Sequence, residues 1–300
     1  MAARAPAGHI ASCLAALTLF LAVGVDAAPS PQKPGWVVRL VASGFGLNFN
    51  GLVYDPVTTD LFTTDYNNQS VYRVTQTGVV TQIYNASGTG FNCDEMTFDP
   101  ASRTLFFGGV AQTTLRHITE FGAFIEDITV PDRYTGLAMG PGGYVYMNLA
   151  VSSAILRYNP VTHVFTTFAS GLSAATLEGL SFDTAGYAYV CDYGSGRQLR
   201  VAPPNSATTI GTVSSPIGSA WGGGVMYVTD YSGGNIWCVA DDGSGTSLFA
   251  TGHSGTSGIV VANNGNIYVN EHDAGRIWEY SMQPVAARPL SWGALKSRYR

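Results

Sequence analysis

Three side chains with oxygen donors occupy matched places in the sequence. Asn50, Asp94 and Glu178 each stand two residues before the first apolar residue of a short alternating segment, in "NGLVYD", "DEMTFD" and "EGLSFD". Carboxylate and amide oxygens are the ligands that Ca²⁺ and Mg²⁺ prefer, with water completing the coordination shell. If the fold brings the three side chains together, the sequence predicts a divalent-cation site, with Ca²⁺ or Mg²⁺ favoured.

Such a site would support hydrolytic chemistry. A bound cation polarises a carbonyl oxygen and lowers the pKa of a bound water, and a neighbouring carboxylate can then take the water's proton. Asp94 is therefore the predicted catalytic base, and Glu95 is its alternative if the register differs by one residue. The competing interpretation is that these are solvated polar side chains in a water-filled channel.

The segments that carry these residues belong to a repeat of six units. Two positions in each unit serve as markers. The marker residue, two before the first apolar residue of the alternating segment, recurs at steps of 44, 41, 43, 40 and 39 residues. The second marker, the end of the next β-rich segment, recurs at steps of 44, 40, 43, 38 and 41. The pattern around the marker residue repeats while the marker residue itself changes from unit to unit. This variation favours a functional site over a structural role for the marker residues. The six marker residues are Asn50, Asp94, Thr135, Glu178, Gly218 and Ser257.

Each unit is typical of one blade of a β-propeller. Four alternating segments, separated by turns rich in Gly, Asn, Asp and Pro, predict four antiparallel strands in about 40 residues. The sequence thus predicts an all-β, six-bladed β-propeller over residues 36–281, followed by a C-terminal tail, 282–300. The sixth unit lacks a fourth strand, and Trp36–Ala42 is predicted to supply it and close the ring. An open solenoid and a two-domain sandwich are the alternatives.

An Asp-Tyr pair follows the second strand of three units, in "TTDYNNQSVY", "VCDYGSGRQL" and "VTDYSGGNIW". Asp65, Asp192 and Asp230 hold this place, and the sixth unit has Glu271. A short acidic side chain before a turn usually accepts hydrogen bonds from the backbone N–H groups of that turn. We therefore predict a structural role for these acids, and packing between blades for the tyrosines.

Two long stretches carry a resemblance to known families. "GLVYDPVTTDLFTTDYNNQSVYRV" and "GLSFDTAGYAYVCDYGSGRQLRV" resemble NHL repeats and the superfamily of the senescence marker protein, gluconolactonase and luciferin-regenerating enzyme, over about residues 36–281. The resemblance implies a cation at the channel mouth, held by Glu, Asn and Asp side chains near blade starts. "EGL" at Glu178 and "NGL" at Asn50 are similar to two such motifs, whereas the superfamily's "EGP" near the first blade is absent.

The N-terminal residues predict secretion. The apolar run "CLAALTLFLAVGV" (Cys13–Val25) is followed by small residues, which is typical of a signal peptide covering residues 1–27. A membrane anchor is the alternative, but thirteen apolar residues are short for a span, which needs about 20. Two glycosylation sequons follow, at Asn68 and Asn85. We therefore expect an extracellular glycoprotein without a membrane span.

Composition and the remaining reactive residues restrict the function further. The net charge of −5 argues against a nucleic-acid partner. Removal of the signal leaves an odd number of cysteines, consistent with three thiols or with one disulfide. His163 is predicted to be exposed, His253 and His272 could approach the face of the marker ring, and no histidine metal site is expected. The three cysteines are Cys93, Cys191 and Cys238.

Two functions remain open at this stage. The first is a monomeric, cation-dependent hydrolase of lactones or small esters, acting on a small-molecule substrate. The second is a non-catalytic propeller that binds an extracellular glycan, peptide or protein on its loop face, because its charge is low and its loops are rich in Tyr, Gly and Asn.

Overall fold

The chain folds as a six-bladed β-propeller with four antiparallel strands in each blade. A computed structural model describes residues 27–109, 112–174 and 176–283. The predicted signal peptide lies almost entirely outside these residues, as do residues 284–300 of the predicted tail. Among the described residues, no helix is long and apolar enough to cross a membrane.

The strands follow the repeat in the sequence. In chain order they are β1 (Ser30–Pro31), β2 (Trp36–Ser43), β3 (Leu52–Tyr54), β4 (Leu61–Asp65), β5 (Ser70–Val74), β6 (Val80–Asn85), β7 (Glu95–Asp99), β8 (Thr104–Gly108), β9 (Thr114–Thr119), β10 (Phe124–Thr129), β11 (Tyr134–Gly140), β12 (Tyr144–Leu149), β13 (Ala154–Asn159), β14 (Val164–Ala169), β15 (Leu177–Phe182), β16 (Ala188–Asp192), β17 (Arg197–Ala202), β18 (Ser206–Thr212), β19 (Pro216–Gly222), β20 (Val225–Asp230), β21 (Asn235–Ala240), β22 (Thr246–Thr251), β23 (Thr256–Val261), β24 (Ile267–Glu271) and β25 (Arg276–Met282). A 3₁₀ turn (Pro141–Gly143) joins β11 to β12.

Blades one to five each use four consecutive strands, beginning with β3, β7, β11, β15 and β19 at the channel. Blade six has the strand order β2-β25-β24-β23, so its outer strand comes from the N-terminal part of the chain. The register pairs Trp36 with Met282 and Ser43 with Arg276. The predicted closure is therefore confirmed, and the edge of β25 is paired rather than open to other chains.

A second N-terminal strand was not predicted. Ser30–Pro31 pairs antiparallel with β22 at the outer edge of blade five. This segment has two residues and no alternating pattern, so the sequence offers no strand signal there. The chain thus contacts blade five before it closes blade six.

The hydrophobic core is divided between the blades. Six clusters of buried apolar residues occur, one between each pair of neighbouring blades. In one of them, Phe62 of blade one stacks on Phe98 of blade two, with ring centroids 5.4 Å apart. Because both faces of a blade are covered, β4, β8, β16 and β24 are buried along their whole length.

Candidate functional site

The channel mouth is the opening at which the innermost strands begin. Five blades place a glycine immediately after the marker residue, where an added Cβ would lie under 3.0 Å from a carbonyl oxygen of the next blade's marker residue. In these five blades the neighbouring blade is therefore too close for a side chain at this position. The five glycines are Gly51, Gly136, Gly179, Gly218 and Gly258.

This pattern defines the ring of residues at the mouth. Gly179 lies against the carbonyl of Ile217, and Gly218 lies against that of Ser257. Ile217 is therefore the ring residue of blade five, and the prediction of Gly218 was wrong by one residue. "SPIGSA" contains two candidate starts for the apolar alternation, and the sequence alone favoured the later one. The ring consists of Asn50, Asp94, Thr135, Glu178, Ile217 and Ser257.

Blade two departs from the glycine pattern. Glu95 occupies the position that glycine holds in the other five blades, and its side chain lines the channel. Two consecutive acids, Asp94 and Glu95, therefore stand at one blade start. Glu95 was the predicted alternative to Asp94, and both residues lie at the mouth.

A belt of side chains fixes the ring carbonyls. The next-to-last residue of the second strand reaches across to the following blade, where Thr229 Oγ1 donates to Ser257 O over 2.7 Å and Asn270 Nδ2 donates to Asn50 O over 2.9 Å. Thr64 and Asn148 make the same bond to the carbonyls of Asp94 and Glu178. Sequence reasoning missed these residues, although a Thr or Asn directly before the strand-ending residue was a usable signal.

The structure brings Asn50 and Asp94 into direct contact. Asn50 Nδ2 donates a hydrogen bond to Asp94 Oδ1 across the boundary between blades one and two. Asp94 is only 3% exposed. Asn50 Oδ1 is buried and accepts no hydrogen bond from the described residues. The amide thus orients one carboxylate while its own oxygen remains available.

Glu178 and Glu95 are close enough to Asp94 for their charges to interact. Burial, followed by the nearby charge of Asp94, raises the pKa of Glu178 from 4.5 to about 8. Burial raises the pKa of Glu95 well above its usual value, and the charges of Asp94 and Glu178 add to this effect. Like charges in a confined site disfavour the ionised forms, so Glu95 and Glu178 favour their protonated forms near neutral pH.

The donors at the mouth are compatible with a hard cation. Among the described residues, no three His, Cys, Asp or Glu side chains are placed to hold one metal ion. The predicted set, however, includes an amide, and the buried Oδ1 of Asn50 lacks the donor that a buried acceptor normally has. An all-oxygen set with mutually repelling carboxyl groups suits Ca²⁺ or Mg²⁺. Asn50, Asp94 and Glu178 would be the residues to hold it.

The channel changes character along its length. It encloses about 320 Å³ and begins among the polar groups of the mouth, with Asn50 and Glu95 in its lining. Toward the far end of the inner strands the lining becomes apolar and includes Phe98, Phe182 and Trp221. A ligand in this channel would meet oxygen donors at one end and aromatic surface at the other.

The acids of the Asp-Tyr motif have the predicted structural role. Asp65 accepts hydrogen bonds from the backbone N–H groups of Gly46 and Asn68, at 2.7 and 3.0 Å. Asp230 accepts from Gly233 N at 3.1 Å, and Glu271 accepts from Ser254 N at 3.3 Å. These carboxylates thus accept hydrogen bonds from backbone N–H groups of the turn after the second strand, of the segment that leads into the ring, or, for Asp65, of both, and none of them is among the residues that line the channel.

The prediction for the tyrosines holds for one of the three. Tyr231 of blade five packs against His272 of blade six, with ring centroids 5.1 Å apart. Tyr66 and Tyr193 are instead 37% and 40% exposed. They follow the last residue of the strand, where the chain leaves the interface between blades. The repeat could not show this, because a residue one position past a buried strand end can point either way.

The histidines divide between core and surface. His253 is buried inside blade six, where its ring nitrogens contact Glu271 Oε1 at 3.0 Å and the Tyr280 hydroxyl at 2.7 Å. It therefore does not reach the mouth. His272 does lie on that face, directly after β24. His163 is exposed, as predicted, with 58% of its side chain accessible.

The cysteines form no disulfide within the described part of the chain. Cys93, Cys191 and Cys238 are free thiols, and the first two are buried. Burial raises the pKa of Cys93 to about 12 and that of Cys238 to about 11. Thiolates are the reactive form of cysteine, so these thiols are unreactive at neutral pH.

Comparison with known proteins supports the architecture. No protein-family model matches the chain, and no curated protein does. Solved structures do match. PQQ-bound aldose sugar dehydrogenase from Streptomyces coelicolor has a TM-score of 0.66 at 15% identity, covering 85% of this chain and 99% of that one. A provisionally assigned gluconolactonase gives the same score and identity, covering 85% and 98%. A chain of a nidogen/laminin complex gives 0.61 at 17%, covering 71% and 84%. At these identities the similarity establishes the propeller fold and leaves the activity open.

Proposed function

We propose that the protein is a secreted hydrolase of lactones or small esters that acts at the channel mouth. The observation that carries the proposal is the group of three carboxyl groups from blades two and four beside an oriented amide, in which the pKa values of Glu95 and Glu178 are raised. A carboxyl group that keeps its proton near neutral pH is typical of general-acid catalysis. The similarity to a provisionally assigned gluconolactonase is consistent with this reaction class.

The residues of the chain can share the proton transfers of such a hydrolysis. Asp94 accepts the hydrogen bond from Asn50, which fixes its carboxylate as an acceptor for the proton of an attacking water. Glu178, with a pKa of about 8, retains its proton at neutral pH. It can therefore donate that proton to the oxygen that leaves when the acyl–oxygen bond breaks. The belt of Thr64 and Asn148 keeps the two blade starts in fixed positions during these transfers.

A divalent cation would be held by Asn50, Asp94 and Glu178. When bound, it would supply Lewis-acid polarisation of the substrate carbonyl. Glu178 must lose its proton to become a ligand, so its roles as proton donor and as cation ligand belong to different protonation states. We therefore expect cation affinity to increase with pH toward and beyond about 8.

The experiment combines metal analysis with a substrate panel. The purified protein is assayed on sugar and aromatic lactones and on small esters with Ca²⁺, Mg²⁺, Mn²⁺ and Zn²⁺, beside Asp94→Asn and Glu178→Gln. Asp242→Asn is the matched control, because Asp242 is exposed in a turn between the outer strands of blade five. We expect Asp94→Asn to lower kcat by about 10²-fold or more, as for loss of a general base, with the control unchanged.

Two results would contradict the proposal. One is the absence of turnover on every substrate with every cation. The other is turnover that both site variants retain at the level of the control. Secretion is tested separately, by determining the N-terminal residue of the protein recovered from the medium of cells that express the full chain.

A second candidate is ligand binding without catalysis. It is favoured by the exposed Tyr66 and Tyr193, which stand on the same face as the acids. A binding surface formed by these tyrosines would also be compatible with hydrolysis, because the tyrosines and the carboxyl groups occupy different rings around the mouth.

A further inference from the structure

A second ring surrounds the channel mouth, outside the ring of marker residues. Its members directly follow the last residue of the second strand in each blade. In five blades their backbone N–H donates to the carbonyl two positions before the marker residue, as in Tyr66 to Asn48 at 3.1 Å and Tyr193 to Thr176 at 2.8 Å. Equivalent bonds place these residues at one level around the mouth. The six members are Tyr66, Gly109, Ala150, Tyr193, Tyr231 and His272.

Four of these residues are aromatic, and they belong to consecutive blades. Blades four, five, six and one provide Tyr193, Tyr231, His272 and Tyr66, which we name the aromatic arc. Tyr231 and His272 are in contact, with ring centroids 5.1 Å apart and planes at 87°. The arc therefore includes direct aromatic contact across the boundary between blades five and six.

Packing does not require these aromatic rings. Gly109 and Ala150 hold the equivalent positions in blades two and three, so the fold accepts small residues there. Tyr66 and Tyr193 leave 37% and 40% of their surface in solvent. Exposed aromatic rings gathered on one face are typical of recognition surfaces, where tyrosine supplies a large, rigid contact at low entropic cost.

The polar groups beside the arc are amides, hydroxyls and a carboxylate. Asn48 Nδ2 and Asn67 Oδ1 are hydrogen-bonded at 2.9 Å next to Tyr66. Asp273 Oδ1 contacts the Tyr231 hydroxyl at 3.4 Å. Beside Tyr193, residues 194–196 and 212–214 line a shallow groove of about 410 Å³, with serine and threonine hydroxyls in its lining.

Nearby arginines do not offer free positive charge to a ligand. Arg197 pairs with Asp192 at 2.8 Å, and Arg276 pairs with Glu271 at 2.5 Å. Together with the carboxyl groups of the mouth, this makes the face unfavourable for an anion. A ligand with flat apolar ring faces and many hydroxyl groups, but no charge, matches both the aromatic rings and the amides.

We propose that the aromatic arc binds a neutral saccharide. Its sugar rings would stack on Tyr193 and Tyr231, and its hydroxyl groups would bond to the amides, the Asp273 carboxylate and the groove hydroxyls. This site does not depend on the proposed hydrolysis, because it uses none of Asn50, Asp94, Glu95 or Glu178. It would place a saccharide, or the sugar part of a larger ligand, directly over the mouth.

The test uses an array of neutral and sialylated glycans, followed by titration calorimetry with the best neutral hit and with a proline-rich peptide. We expect a neutral glycan to bind and the affinity to fall at least tenfold in Tyr193→Ala and in Tyr231→Ala. Tyr187→Ala is the matched control, since Tyr187 lies between β15 and β16 on the opposite face. Its affinity should equal that of the unaltered protein. Circular dichroism confirms that each variant is folded.

Three outcomes overturn the proposal: binding of no neutral glycan, binding that both arc variants retain, or binding of the peptide at the arc in place of any glycan. The double variant Asp94→Asn, Glu178→Gln distinguishes this site from the catalytic one. Glycan binding should persist in that variant, and its loss would contradict the independence of the two sites.

Discussion

The carboxyl group of Glu178 should make the protein less stable as the pH rises. Its pKa is about 8 in the folded chain and close to 4.5 when unfolded. Between these values the native protein holds a proton that the unfolded chain has released. Stability falls with pH wherever the native state binds more protons, so the loss occurs across this window.

The size of the effect follows from the two pKa values. A shift from 4.5 to about 8 corresponds to about 4–5 kcal/mol at most, at 1.36 kcal/mol for each pKa unit. Glu178 is partly exposed to water in the channel, which screens its charge. We therefore expect roughly 2 kcal/mol between about pH 5 and about pH 8.5.

Glu178→Gln removes the titrating group while preserving its shape. Urea unfolding of the variant and the unaltered protein is compared at both pH values, in the presence of EDTA so that no cation contributes. We expect equal stability at the lower pH, and a variant more stable by roughly 2 kcal/mol at the higher pH. Glu95 also has a raised pKa and is retained, so some decline with pH should persist in the variant.

Asp242→Asn provides the control, because hydrogen bonds from Ser244 lower the pKa of Asp242 instead of raising it. Removal of the Asp242 carboxylate should therefore leave unchanged the decrease in the free energy of unfolding at alkaline pH. The reasoning is refuted if Glu178→Gln and the unaltered protein lose the same stability between the two pH values. It is refuted equally if the variant is the less stable protein at the higher pH.

Three other predictions concern the scaffold. Deletion of residues 27–43 should expose the edge of β25 and cause aggregation or non-cooperative unfolding. Size-exclusion chromatography and thermal melting would detect these effects. A monomeric variant that unfolds cooperatively would contradict the role of β2 in closing the ring. His253→Ala should cost about 2–4 kcal/mol in urea unfolding, because it removes one hydrogen-bond partner from buried Glu271 and one from buried Tyr280. A loss below about 0.5 kcal/mol would show that these hydrogen bonds contribute little. In secreted protein, mass spectrometry should find a glycan on exposed Asn85 and none on Asn68, because Asn68 Nδ2 donates a hydrogen bond to Asp65 at 2.8 Å. A glycan on Asn68 and none on Asn85 would contradict this prediction.

The sequence alone determined the architecture. The two markers recur at steps near 40 residues, and strands such as Leu61–Asp65 and Ala188–Asp192 end where the markers indicated. Closure by the N-terminal strand was also predictable, because the sixth unit visibly lacked a strand. Repetition makes these inferences robust, since an error in one unit is corrected by the other five.

The tertiary structure decided the site. Whether Asn50 meets Asp94 depends on how closely two blades approach, and Gly51 beside Asn50 permits that approach. The ring residue of blade five was misplaced because local alternation cannot show which carbonyl faces the neighbouring blade. The exposed tyrosines escaped prediction for a related reason. A side chain one residue beyond a strand follows the path of the loop, which depends on contacts between residues far apart in the chain.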